Sequence, residues 1–68
     1  MDILHERIRA ARKDKGLSQK TVAQMLGITQ PGYQQIESGI KGDMKVATLL
    51  KLCRLFEVSS DWLLGLKD

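Results

Sequence analysis

Gln30, Gln34 and Gln35 crowd one short stretch, GITQPGYQQIESG at 27–39, and Gln19 precedes it. A glutamine amide offers a hydrogen-bond donor and an acceptor side by side. That is the chemistry of recognition. Bond-making chemistry finds no support: no nucleophile stands with a base, no acids are paired, and no glycine-rich loop is built to cradle phosphate. One Cys and one His exclude an internal disulfide and a zinc-ligand set. Cys53, flanked by Leu52 and Leu55, reads as a small buried apolar residue, and His5 as a surface one. Met25 and Met44 read as packing. No enzyme, cofactor or metal is expected.

The chain of 68 residues is one small domain. Net charge is +3 and pI about 9.3. The distribution says more than the total. Residues 7–20 hold Arg7, Arg9, Arg12, Lys13, Lys15 and Lys20 against the single acid Asp14. A basic half points to a polyanion, although an ordinary solvated helix face has the same composition. No apolar run approaches the roughly 18 residues of a membrane span, and no signal-peptide core opens the chain. A cytoplasmic setting without membrane contact is expected.

The elements that position these groups read as helices throughout. Leu4, Ile8 and Ala11 form an apolar stripe on a first helix at 3–14, stopped by Gly16. Ser18 suits the N-cap of a second helix carrying Val22, Ala23 and Leu26, ended by Gly27. Thr29 caps a third. Pro31 then falls in the first turn, where the backbone N–H has no helical partner, so proline is tolerated. Gly32 costs about 1 kcal/mol relative to alanine. Tyr33 and Ile36 share the inner face, and Gly39 closes the helix. Asp43 is placed to cap a fourth helix with Val46, Leu49, Leu50, Leu52, Cys53, Leu55 and Phe56. Ser59 or Ser60 caps a last short one with Trp62, Leu63 and Leu64, stopped by Gly65. Two short helices joined by the glycine-bearing turn Gly27-Ile28 make a helix-turn-helix at about 18–38.

Over about residues 4–65 the sequence resembles the lambda-repressor-like domains (Cro and phage repressor type), a compact all-α fold of five helices. LSQKTVAQMLGITQPGYQQIESG at 17–39 and LLKLCRLFEVSSDWLLG at 49–65 carry the resemblance. Gln19 opens the second helix, and Ala23 is small where two helices cross. Gly27 stands where the turn needs positive φ, and Ile36 packs back. Three places depart from the pattern. Tyr33 stands where Val or Ile is usual, and its hydroxyl needs water or a partner. Pro31 replaces a polar side chain, and residues 40–46 run one residue longer.

The resemblance implies a sequence-specific regulator, of repressor type, that binds double-stranded DNA at a palindromic operator as a homodimer. The third helix enters the major groove, with Gln30, Pro31, Gln34 and Gln35 toward the bases. The ring of Pro31 can touch a thymine methyl. Gln19, Lys20, Thr29, Ser38, Lys41 and Lys45 fall on phosphates, and Arg12 pairs with Glu37. Val58, Trp62, Leu64 and Leu66 are placed at a partner chain, with Trp62 equally suited to the core. Two forms fit: a complete small regulator, or the N-terminal part of a longer repressor lacking its C-terminal domain. Two alternatives stay open. One is an antitoxin or restriction-modification controller of the same fold; the other is a protein-interaction module without DNA binding.

Overall fold

The computed structural model describes residues 3–39 and 44–68. Five helices run in chain order: α1 (Ile3–Asp14), α2 (Gln19–Leu26), α3 (Gln30–Ser38), α4 (Val46–Phe56) and α5 (Ser60–Leu63). The described residues contain no strand.

Each boundary follows from local chemistry. Ser18 takes the N–H of Thr21 at 3.0 Å and starts α2. Gly27 ends it at φ +72°, left-handed backbone that only glycine adopts without strain. Its N–H reaches the Gln24 carbonyl at 3.2 Å, and that of Ile28 reaches Ala23 at 3.0 Å. The turn is thereby closed after two helical turns. Thr29 takes the N–H of Gly32 at 3.1 Å. Pro31 occupies the first turn of α3, as its missing N–H allows. Ser59, rather than Ser60, caps α5, accepting from Trp62 at 3.1 Å. Lys45 is the N-cap residue of α4 and supplies no side-chain bond. Asp43, the expected cap, lies outside the described residues.

Ile8, Val22, Tyr33, Leu52, Phe56 and Leu63 are the largest fully buried side chains, so every helix contributes to one core. Burying a side chain of this size stabilises by about 1.5–3 kcal/mol. Ala23 is buried on α2, which packs against α3. Helix α1 packs across α3, α4 and α5.

Three readings of single residues need correction, those of Met25, Cys53 and His5. Val46 and Leu50 are exposed, at 73% and 49%. The packing of α4 buries Leu52 and Phe56, with Leu49, Cys53 and Leu55 partly covered, and leaves Val46 and Leu50 outside that contact. Met25 is also exposed on α2, whereas Met44 does pack against the core. Cys53 is half-buried, and burial pushes its thiol up, away from the reactive thiolate. His5 is no plain surface residue: its Nδ1 lies 2.5 Å from the Ile36 carbonyl, joining α1 to the end of α3.

Helix α1 meets the segment that follows α5. Arg7 Nη1 donates to the carbonyls of Trp62 (2.5 Å) and Lys67 (2.7 Å). Its guanidinium also lies 4.9 Å from the centroid of the Trp62 ring. Ile3 sits so close to Gly65 that a Cβ there would come within 2.6 Å of its Cγ2.

Candidate nucleic-acid interface

Helix α3 is short, and its two faces differ in kind. Tyr33 is fully buried and Ile36 half-buried against the core. Thr29, Gln30, Pro31 and Gln34 are exposed, and Gln35 is half-buried. Four of the expected recognition residues thus share the outward side of one helix, with the capping threonine at its start. No acid stands on that side. The one acid of α3, Glu37, is turned inward and is 2% exposed.

Glu37 is held from three directions. Arg12 Nε donates to Oε2 at 2.5 Å, and Arg12 Nη2 to Oε1 at 3.3 Å. Gln19 Nε2 donates to Oε1 at 3.2 Å. Arg9 Nε stands farther off, 3.7 Å from Oε1. Burial alone would raise the Glu37 carboxyl, but the polar groups around it, Arg12 first and then Tyr33 and Gln19, outweigh it and hold the group below the usual glutamate range. Donating to Glu37 in turn holds the Arg12 guanidinium up. Arg12 also donates Nη1 to the Leu17 carbonyl at 2.8 Å, so one side chain fixes α1, the α1–α2 connection and α3.

The network continues outward. Gln34 Nε2 donates to Gln19 Oε1 at 3.2 Å, linking α3 back to the start of α2. A cleft of about 480 Å³ lies there, lined by Arg9, Gln19, Pro31, Gln34, Gln35, Glu37 and Ser38. Beneath it, Tyr33 fills the apolar position with its hydroxyl buried among Glu37 and Arg12, and burial pushes its phenol far up.

Ser38 is exposed and donates Oγ to the Gln35 carbonyl at 3.2 Å. Thr29 accepts a backbone N–H, which leaves its own O–H to donate elsewhere. Lys20 and Lys45 are exposed, while Lys41 lies outside the described residues. Lys45 instead borders a second groove, with Leu26, Ile28, Thr29 and Met44. Trp62, fitted by sequence to a partner or to the core, is half-buried beneath Arg7 and against the core, and Val58 is half-buried too. Leu64 and Leu66 are exposed, at 41% and 76%.

Sequence reasoning placed Arg12 beside Glu37, and the two meet. It missed the Gln19–Gln34 and Gln19–Glu37 bonds, which depend on the crossing of α2 and α3 and leave no mark in the sequence. It also left Arg9 without a role. A signal existed: Arg9 precedes Arg12 by three positions, on the same side of α1.

The model of a helix-turn-helix family matches residues 8–63. Among curated proteins of Bacillus subtilis (strain 168), the chain is 44% identical over 59 residues to the SPbeta prophage-derived uncharacterized HTH-type transcriptional regulator YonR, covering 87% of this chain and 54% of that protein. It is 39% identical over 62 residues to the HTH-type transcriptional regulator ImmR, covering 91% and 48%. It is 37% identical over 59 residues to the uncharacterized HTH-type transcriptional regulator YqaE, covering 87% and 50%. The chain therefore spans about half the length of these relatives.

Proposed function

The chain belongs to the helix-turn-helix family, and from that premise we infer that it binds double-stranded DNA sequence-specifically, as the DNA-binding part of a transcription regulator. The observation that carries this reading is the outward side of α3. It offers amides, a proline ring and a threonine hydroxyl to a groove, while its one acid is buried and matched by Arg12.

In this reading α3 lies in the major groove, its N-terminal turn against base edges. Gln30 and Gln35 read adenine through paired donor and acceptor, and Pro31 touches a thymine methyl. Gln34, tied to Gln19, stands at the margin of the reading side. Gln19, Lys20, Thr29, Ser38, Lys41 and Lys45 contact phosphates, which orient the domain without conveying sequence. The regulator is of the phage-repressor type, for which the relative named as prophage-derived speaks. It works as a homodimer on a palindromic operator, with Val58, Leu64 and Leu66 toward the partner and Trp62 at the margin of that contact.

Selection of bound duplexes from random DNA tests this. A near-palindrome should be enriched, and Gln30→Ala should lose preference at one base pair per half-site, about 1–3 kcal/mol. If no sequence is enriched, the reading fails in favour of a protein-interaction module.

A further inference from the structure

The cleft between α1 and α3 contains more positive charge than its internal pairing uses. Glu37 receives Arg12 on both oxygens and Gln19 on one. Arg9 stands outside this set, 3.7 Å from Oε1, with its side chain 52% exposed. One buried carboxylate thus faces two guanidinium groups, and the outer one opens onto the cleft.

The bonding sense of Gln19 is fixed as well. A carboxylate only accepts hydrogen bonds. Gln19 must therefore turn Nε2 toward Glu37 and Oε1 away, where Gln34 Nε2 meets it at 3.2 Å. What Gln19 keeps for an outside ligand is its second N–H. A guanidinium and an amide N–H, both organised by Glu37, line the same opening beside Gln35 and Ser38.

We propose that this cleft seats one phosphate of the DNA backbone, with Arg9 as its charged ligand and the free N–H of Gln19 as the second donor. The proposal rests on the DNA-binding reading above. It adds to it a cation from α1, a helix outside the helix-turn-helix, so that the backbone is gripped from two elements at once. An Arg–phosphate pair is charge-assisted and can be bidentate. Glu37 is here a positioning residue: it orients Gln19 and keeps Arg9 at the mouth of the cleft.

The test is a salt titration of binding to the selected duplex, wild type beside Arg9→Gln, with thermal melting to show that the variant folds. The slope of log affinity against log salt should shrink by about 0.9, the value of one neutralised phosphate. Between 50 and 200 mM salt the wild type should then lose about 3.5-fold more affinity than the variant. Arg9→Lys should restore the slope, and the loss in Arg9→Gln should be equal on preferred and scrambled duplexes. Ethylation of a single phosphate in each half-site should weaken the wild type more than Arg9→Gln, which keeps only the Gln19 contact to that phosphate. If the wild type binds its selected site and Arg9→Gln keeps the full slope, the phosphate seat is wrong while the DNA-binding reading stands. If the wild type binds no duplex, both fall.

Discussion

At Glu37 a carboxylate is almost fully enclosed, and what makes that tolerable is Arg12, whose side chain is itself only 12% exposed. A pair this enclosed is unlike a surface ion pair, which contributes about 0–1 kcal/mol. Removing one partner strands the other charge, at a penalty of roughly 3–5 kcal/mol. Arg12→Met should destabilise by about that amount in chemical denaturation, and adding Glu37→Met should recover part of the loss. Strictly additive effects would show that the two side chains do not act on each other. Acidity offers a second route to the same residue. The folded-state value of Glu37 lies below its unfolded one. The stability it contributes is therefore present above the unfolded range, near pH 4.3, and is lost as pH falls through the lower folded value. The melting temperature of the wild type should drop over that window more steeply than that of Glu37→Gln. Parallel curves would mean that Glu37 titrates no differently in the folded chain.

Helix α3 carries a glycine and a proline in its first turn, and the two have different explanations. Pro31 stands where the N–H is free in any helix. Gly32 is set by its neighbour: a Cβ there would lie 3.0 Å from Thr29 Oγ1, the atom that caps its own N–H. The cap and the alanine-like stability of that turn thus compete. Thr29→Ala should destabilise by about 0.5–2 kcal/mol. In the Thr29→Ala background, Gly32→Ala should then stabilise by up to about 1 kcal/mol, more than it does in the wild type. Equal effects in both backgrounds would show that the cap does not constrain residue 32. Elements of this kind were legible in the sequence because each boundary residue acts locally: Ser18, Gly27, Thr29 and Gly39 mark their ends by their own backbone needs. The Arg12–Glu37 contact was legible only through the resemblance. What stayed hidden depends on how helices cross. The exposure of Val46 and Leu50, the turn of Gln34 onto Gln19, and the reach of His5 to α3 follow from packing angles that hydrophobic period does not encode.

If α3 reads DNA as proposed, one such helix covers few base pairs, and selectivity at the scale of the molecule would call for two copies. With Leu64 and Leu66 exposed at the end of the chain, two domains related by a two-fold axis would place their α3 helices about one turn of DNA apart, ~34 Å. Sedimentation on the selected site should find two chains per duplex, and inserting five base pairs between half-sites should abolish tight binding. One chain per duplex binding equally well, indifferent to the insertion, would end the dimer model. The clasp of Arg7 on Trp62 and Lys67, with Ile3 against Gly65, has a consequence of another sort. It makes the first and last elements neighbours, so the order in which the chain visits its helices is separable from their arrangement. A circular permutant, its old ends joined by a short glycine-serine linker and new ends opened between Lys15 and Gly16, should keep the wild-type helicity and a cooperative melt. Replacing Arg7 by alanine should harm the linear chain more than the permutant, because in the permutant a covalent bridge holds together what the guanidinium holds in the linear protein.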